Sequence, residues 1–351
     1  MEKKNWLNRQ RRKLTGLLKK SLPELKPSHI KNKESIRKIL VVRPNHRLGN
    51  QLMITPLLQE LNATFPNAKI DLFLKGNTCL IIFKNFDYVD KLLRLPKKHF
   101  KEFYNYIIAF WNLKKTKYDL VFNVDVGSSS GKLATHHAQS QIKFSDEDRL
   151  KQIQAKYPEA KHLAKQAVYR LRAGLQGHID DLNLKPIPNL SLSLSALEKS
   201  KAQAIVKDKL GQTDKIISLF TYATGDKQLS KEWWDNFYKV LLKEFPDYAI
   251  LEILPIENIS LLDFKAPSYY GKDIRLISAV IQQSDVFIGA DSGIMHLSAT
   301  SQTPTIGLFK VTNPDVYAPY SKGSMAFPVK DAHLNDLVNA VTKALNLKDK
   351  N

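Results

Sequence analysis

The sequence predicts an α/β protein with two domains, and two observations indicate this. The first is an alternation of strand, loop and helix that starts at Lys38 and starts again near Lys215; such alternation is typical of parallel sheets covered by helices. The second is size, because 351 residues with 43% hydrophobic content are enough for two separate cores. The expected units are a basic segment at 1–35, domains at 36–182 and 183–333, and a terminal helix at 334–351.

The first domain opens with a short apolar run at residues 38–42, a loop at 43–50 and a helix from Ile54. Further short elements are predicted at residues 69–74, 80–83, 89–93 and 118–125. The loop at 127–132 resembles a phosphate-binding loop, but its two glycines are one residue too close and Leu133 replaces the Ser or Thr that binds magnesium. Two interpretations stay open for this loop: an anion or acceptor site made of backbone N–H groups, and a plain surface loop.

A charged, helical stretch at 145–182 ends the first domain, and Pro186 and Pro188 mark the predicted linker. In the second domain, helices are predicted at 197–209, 233–242 and 274–281, and strands at 215–220 and 248–254.

The most informative part of the chain is residues 285–309. An apolar β-rich run ends at Gly289, a helix-compatible run begins at Ser292–Gly293, and a second β-rich run follows Pro304. This order predicts a βαβ unit, in which ligands bind at the carboxyl ends of the strands. The helix would direct free N–H groups at an anion, and a diphosphate is the expected ligand. The alternative is that Asp291 and Ser292 only cap the helix, and that His296 is a buried polar residue.

Residues 291–309 follow the pattern D-S-G-x-M-H-L-x-A-x-x-x-T-P-T-I-x-L-F. This run resembles the donor-site signature of glycosyltransferase family nine, the ADP-heptose:lipopolysaccharide heptosyltransferases. Near the other end, Gly49 and Pro56 keep the spacing of a second motif of that family. There the family has an acidic residue after the Gly, its catalytic base, whereas this chain has Asn50. An amide cannot take a proton from an acceptor hydroxyl at neutral pH.

The resemblance implies two Rossmann-like domains facing a cleft, the GT-B architecture, and sugar transfer with inversion through an oxocarbenium-like state. It places Arg47 and Gly49 in the acceptor-side loop. It also implies a donor site that includes Thr221, Thr224, Lys227, Glu257, Asp291, Ser292, Gly293 and His296. For Lys227 and Glu257, a solvated side chain on the surface is the alternative that stays open. Asn50 is expected to orient the acceptor, with Asp125 or His46 as the substitute base.

No metal and no cofactor other than the nucleotide-sugar donor is expected. A D-x-D pair of carboxylates at a strand end is absent from the sequence, since residues 146–148 lie in the charged helical stretch. The charge of the leaving diphosphate would therefore be balanced by Lys227 and by the helix that follows Gly289.

The sequence-based hypothesis is an inverting transferase that moves a sugar, with heptose from ADP-heptose as the expected donor, onto a lipopolysaccharide core or related lipid-linked glycan. Two alternatives stay open. One is transfer of another nucleotide-activated sugar onto a capsule or surface polysaccharide. The other is a non-catalytic protein that binds sugar nucleotides, which Asn50 makes conceivable.

The net charge of +20 is concentrated at one end of the chain. Residues 1–40 carry 13 Lys and Arg and 3 acids, with Trp6 and five leucines interleaved at roughly helical spacing. This pattern predicts a basic amphipathic helix on an anionic membrane surface; a solvated basic arm is the alternative. No nucleic-acid motif accompanies the charge.

The single Cys79, the lack of a long apolar run and the polar start favour an enzyme held peripherally on the inner face of the cytoplasmic membrane.

Overall fold

The computed structural model describes residues 30, 33–97, 102–145, 147–330 and 332–348. The predicted basic helix lies almost wholly outside these residues. Within the described ranges, no helix combines the length and apolar content that crossing a membrane requires.

Two parallel β-sheets form the frame, one in each domain. The first sheet has the order β3-β2-β1-β4-β5 and the second has the order β11-β10-β9-β6-β7-β8. The first contains β1 (Lys38–Arg43), β2 (Lys69–Lys75), β3 (Val89–Leu95), β4 (Leu120–Asn123) and β5 (Ile142–Phe144). The second contains β6 (Ile216–Phe220), β7 (Ala249–Ile253), β8 (Ser268–Tyr269), β9 (Val286–Ala290), β10 (Thr305–Phe309) and β11 (Met325–Pro328). The central strands are buried along nearly their whole length, as a sheet covered by helices on both faces requires.

Helices connect the strands. In the first domain they are α1 (Leu48–Leu52), α2 (Thr55–Thr64), α3 (Thr78–Ile82), α4 (Phe103–Lys115), α5 (Ser129–His137), α6 (Glu147–Lys156) and α7 (Leu163–Gln176). After the linker come α8 (Ala196–Leu210), α9 (Lys231–Glu244), α10 (Ile274–Ile281), α11 (Gly293–Thr300), α12 (Pro314–Tyr317) and α13 (Leu334–Lys348).

Side-chain caps explain where several helices begin. Ser195 and Glu198 form a reciprocal capping box at α8, and the Ser230 and Ser292 hydroxyls accept backbone N–H groups at α9 and α11. Ser128 does the same at α5. Most of the glycine-containing loop at 127–132 is therefore the start of a helix, and the interpretation of that stretch as a surface loop is wrong.

Arg275 ties the two domains together beside the linker. Its side chain is almost fully buried and donates to the carbonyls of Ile82 (3.2 Å) in the first domain and Leu192 (2.9 Å) in the linker. It also pairs with Glu198, with 2.5 Å between Nε and Oε1, and this pairing lowers the pKa of Glu198 to about 2. A buried guanidinium with this many acceptors fixes the orientation of one domain on the other.

Candidate active site

The two sequence motifs, more than 240 positions apart, pack directly on one another. Gly49 in α1 lies against the ring of His296 in α11, so closely that a Cβ atom at Gly49 would stand 2.5 Å from His296 Cδ2. One turn away, a Cβ atom at Gly293 would stand 3.2 Å from the Leu48 side chain. Both glycines are therefore explained by close approach between the domains. Helix α11 begins at this contact between the two domains.

His296 is buried at this contact. Only 4% of the residue is exposed, and its Nδ1 atom has no hydrogen-bond partner among the described residues. Burial lowers the pKa of His296 to about 4, although the nearby carboxylate of Asp291 raises it. The ring is therefore neutral at pH 7, and its unpaired nitrogen is the kind of buried polar atom that a bound ligand satisfies.

The donor wall, as we call the carboxyl edge of β6 and β9 with α11, carries a buried carboxylate and a partly exposed cation. Asp291 follows β9 and is 4% exposed. Lys227 follows β6, and its ammonium lies 2.6 Å from Asp291 Oδ2 while a third of the side chain reaches solvent. Thr312, after β10, donates its hydroxyl to the same carboxylate. Asp291 thus holds the Lys227 ammonium beside the N–H groups of the first turn of α11, where two sources of positive potential meet.

Of three other residues that are predicted to bind the donor, one is buried and two are exposed. Thr221 is 1% exposed, and its hydroxyl donates to Glu252 (2.8 Å) inside the domain. The Thr221 proton thus satisfies a buried carboxylate in the structure, and its predicted contact with the donor stays a prediction. Burial raises the pKa of Glu252. Thr224 and Glu257 are exposed, each after a strand of the same sheet, and their predicted contact with the donor stays a prediction.

Opposite the donor wall lies a cavity of about 320 Å³, and we call the residues that line it the acceptor wall. Arg43, Arg47, Asn50 and Asp125 of the first domain line it, and Tyr317 lines it from the second. The cavity therefore spans both domains. Asn50 belongs to α1, which packs on α11 through Gly49 and His296, so α1 connects the cavity to the donor wall.

Arg43 organises the acceptor wall. It ends β1, is 4% exposed, and donates from NH2 to Asn50 Oδ1 at 3.0 Å. Its NH1 atom lies 3.6 Å from Asp125 Oδ2. Burial lowers the pKa of Arg43 and the Asp125 charge raises it, but a guanidinium remains protonated in proteins. Asn50 thus accepts from Arg43 as an Asp would, while Asp125 supplies the negative charge that the buried cation needs.

The two predicted substitute bases, Asp125 and His46, differ in whether they line the cavity. Among the described residues that line the cavity, Asp125 is the one carboxylate, and a third of its side chain is exposed. His46 is exposed on the loop and lies outside the cavity lining. Partial burial lowers the pKa of His46, and the cations of Lys75, Lys97 and Arg47 lower it further. Of these two candidate bases, Asp125 is therefore the one that brings a proton-accepting group to the cavity.

Sequence reasoning missed three residues. Arg43 was treated as part of a loop, although a cation at the end of an otherwise apolar strand is a detectable signal. Glu252 lies within the apolar run of β7, which is the same kind of signal. Thr312 had no signal in the sequence, because its contact with Asp291 depends on how the loop after β10 folds back.

Comparisons with known proteins agree with this geometry. Residues 273–343 match the model of "Glycosyltransferase family 9 (heptosyltransferase)". The chain is 25% identical over 304 residues to lipopolysaccharide heptosyltransferase 3 of Escherichia coli K12, covering 80% of this chain and 84% of that protein. A glycosyl transferase family 9 structure from Veillonella parvula has a TM-score of 0.70 at 16% identity, covering 89% and 98% of the two chains.

An Escherichia coli heptosyltransferase solved with ADP-2-deoxy-2-fluoro heptose has a TM-score of 0.59 at 15% identity, covering 88% of this chain and 99% of that one. These similarities support glycosyltransferase family 9, the heptosyltransferase family, for this chain, which is a glycosyltransferase with two Rossmann-like domains in the GT-B arrangement.

Proposed function

We propose that the protein transfers a sugar, with inversion, from a nucleotide diphosphate to a lipopolysaccharide core or related lipid-linked glycan, with ADP-heptose as the donor. The observation that carries the proposal is the Lys227–Asp291 ion pair at the N-terminus of α11, together with a cavity, lined by both domains, whose described lining has Asp125 as its single carboxylate. The donor and acceptor assignments rest on the family and on what its relatives are known to bind or modify.

On the donor wall, the diphosphate would take the Lys227 ammonium and the N–H groups of α11 as partners. The ammonium is already positioned, so little side-chain entropy would be lost when the ligand binds. As the bond to the sugar breaks, negative charge grows on the diphosphate, and these groups stabilise it. His296 Nδ1, buried and unpaired, lies close enough to sense the Asp291 charge and could accept a ligand hydroxyl or N–H.

On the acceptor wall, the attacking hydroxyl must lose a proton, and Asp125 is our candidate base. Arg43 holds its carboxylate from one side, and Asn50 is held by the same guanidinium. The Asn50 amide group would then position the acceptor without taking a proton. Neither step requires a metal, and we propose that the reaction needs none.

We further propose that the enzyme works at the inner face of the cytoplasmic membrane, with the basic segment 1–35 on anionic lipid. The charge of that segment supports this, as does the lipid-linked character of the proposed acceptor.

Turnover against a panel of donors tests the proposed function. ADP-heptose and UDP- and GDP-linked sugars would be offered with truncated lipopolysaccharide cores and with capsule-type glycans. The proposal predicts turnover with ADP-heptose and a core acceptor. Turnover only with another donor and a capsule-type glycan would support the first alternative. Binding of ADP without transfer in any combination would support a non-catalytic binding protein.

A further inference from the structure

Helix α4 (Phe103–Lys115) is apolar on two opposite faces. Its inner face packs on the first sheet through Ala109 and Leu113, with Phe110 against Phe73 at 5.5 Å between ring centroids. Its outer face exposes Tyr104 (76%), Ile107 (49%) and Trp111 (59%). These three residues follow the i, i+3, i+7 spacing of one helical stripe.

A stripe of this kind on the surface requires a partner, because helices of soluble domains normally turn polar residues to solvent. Trp and Tyr are the aromatic residues that settle at a membrane–water interface, since each has an apolar ring and a polar atom. The composition of the outer face therefore suits the boundary between lipid headgroups and acyl chains.

Charge around α4 is strongly positive. Between residues 94 and 117 the sequence has seven Lys and Arg and one acid, Glu102. Lys114 and Lys115 occupy the last turn of α4, and the Lys115 ammonium lies 3.4 Å from the centroid of the Trp111 ring. Long basic side chains beside an apolar stripe can place their stems along it and their charges in the headgroup layer.

Helix α4 belongs to the same domain as the acceptor wall. Its described packing partners belong to the first domain and include Phe73 of β2. A membrane that contacted α4 would therefore contact the domain that is proposed to bind the lipid-linked acceptor.

From the exposed apolar and aromatic stripe and the adjoining lysines, we infer that the outer face of α4 is a docking surface for an anionic lipid bilayer, separate from the basic segment 1–35. The inference adds a named surface to the proposed function but does not depend on the donor or on the transfer reaction. Binding to lipid alone can therefore test it.

The experiment measures binding of the full-length protein to vesicles of equimolar phosphatidylglycerol and phosphatidylcholine by sedimentation. The variant is Ile107→Ser with Trp111→Ser. The matched control is Leu197→Ser with Leu242→Ser, since these leucines are similarly exposed (63% and 48%) on helices of the other domain. We expect the variant to bind at least about tenfold more weakly, from the apolar area withdrawn from lipid, and the control to bind as wild type.

A second measurement locates the surface directly. In a Trp6→Phe background, bromine-labelled lipids should quench tryptophan fluorescence, and the further change Trp111→Phe should abolish the quenching while binding is retained. ADP affinity should be equal in every variant, which separates failure of this inference from failure of the proposed function.

Wild-type vesicle binding by the Ile107→Ser, Trp111→Ser variant would overturn the inference, as would quenching that persists without Trp111. Light scattering that shows a dimer of the wild type, dissociated by the same two substitutions, would also overturn it, because the stripe would then be a contact between two copies of the chain.

Discussion

The two walls of the cleft differ in the carboxylate that pairs with the cation of each wall. The donor wall keeps the family's run of residues, and its carboxylate and cation, Asp291 and Lys227, pair with each other across two neighbouring strands. The acceptor wall has the neutral Asn50 where the motif predicts an acid, and its buried cation, Arg43, lies beside the carboxylate of Asp125. The difference teaches that the carboxylate beside a buried cation need not come from the position at which a motif predicts it.

Elementary electrostatics explains why a carboxylate is needed here. Arg43 is nearly fully buried, so a neutral surrounding would leave an uncompensated charge, which is strongly unfavourable. Asp125 lies 3.6 Å from Arg43 NH1, because it follows β4, and β4 is the neighbour of β1 in the sheet.

The largest predicted effect concerns the acceptor wall. Asp125→Asn should lower the turnover number by about 10²–10⁴, the usual contribution of a general base. Asn50→Asp is the contrasting variant. Wild-type protein, which has Asn50, should already be active without this substitution. The measurement is turnover of both variants and wild type with one accepted donor–acceptor pair. Full activity in Asp125→Asn would remove Asp125 as the base, and a large gain in Asn50→Asp would indicate a wild type impaired at position 50.

The second effect concerns the contact between the walls. The pKa of His296 in the folded protein is about 4, below the ordinary value near 6.5 in an unfolded chain. The unfolded state therefore binds more protons between these values, so stability is fully present above about pH 6.5 and is lost as the pH falls toward 4. The shift corresponds to about 3 kcal/mol.

Urea unfolding at a series of pH values measures this dependence. His296→Gln should make this dependence shallower, because one group with a lowered pKa is removed. His162, whose pKa burial also lowers to about 4, and His46, whose pKa is lowered as well, keep part of the dependence in the variant. A variant with the same slope as wild type would contradict the assignment to His296.

A smaller effect is predicted on the donor wall. Lys227→Ala should weaken ADP binding by roughly 10- to 100-fold, from the loss of a charge-assisted contact of about 1.5–3 kcal/mol. The expected loss is modest because a third of the Lys227 side chain is exposed, so solvent screens its charge. Lys231→Ala is the matched control, because Lys231 also pairs at 2.6 Å with an aspartate, Asp263, but is more exposed. Equal ADP affinity in both variants would exclude Lys227 from the donor site.

The smallest effect is an expected absence of change. With charge balanced by Lys227 and α11, turnover should be the same with and without a chelator of divalent cations. A tenfold loss on chelation, restored by magnesium, would show that the donor wall needs a metal.

The features that depend on local sequence were predictable. The strand at 285–289 and the helix start at Gly293 follow from an apolar run, a glycine and a serine cap, and the structure confirms β9 and α11 there. Placing Lys227 and Asp291 at one edge needed only the rule that parallel strands end together. The absent acid at Asn50 was visible from the motif alone.

The features that depend on distant partners were not predictable. That Thr221 donates to Glu252 is decided by how β6 and β7 pair and by the fold of the chain after them. That Gly49 must lack a side chain is decided by His296 of the other domain. One sequence specifies which residues are polar, but the partner of each is set by packing across hundreds of residues.

The most direct test of the account separates the walls in one experiment, by measuring ADP affinity with calorimetry and turnover for Lys227→Ala and Asp125→Asn. The account predicts that Asp125→Asn binds ADP as wild type does but loses at least about 10² in turnover, whereas Lys227→Ala loses affinity for ADP. Loss of ADP affinity in Asp125→Asn as large as in Lys227→Ala, or undiminished turnover in Asp125→Asn, would contradict the division of the site into a donor wall and an acceptor wall.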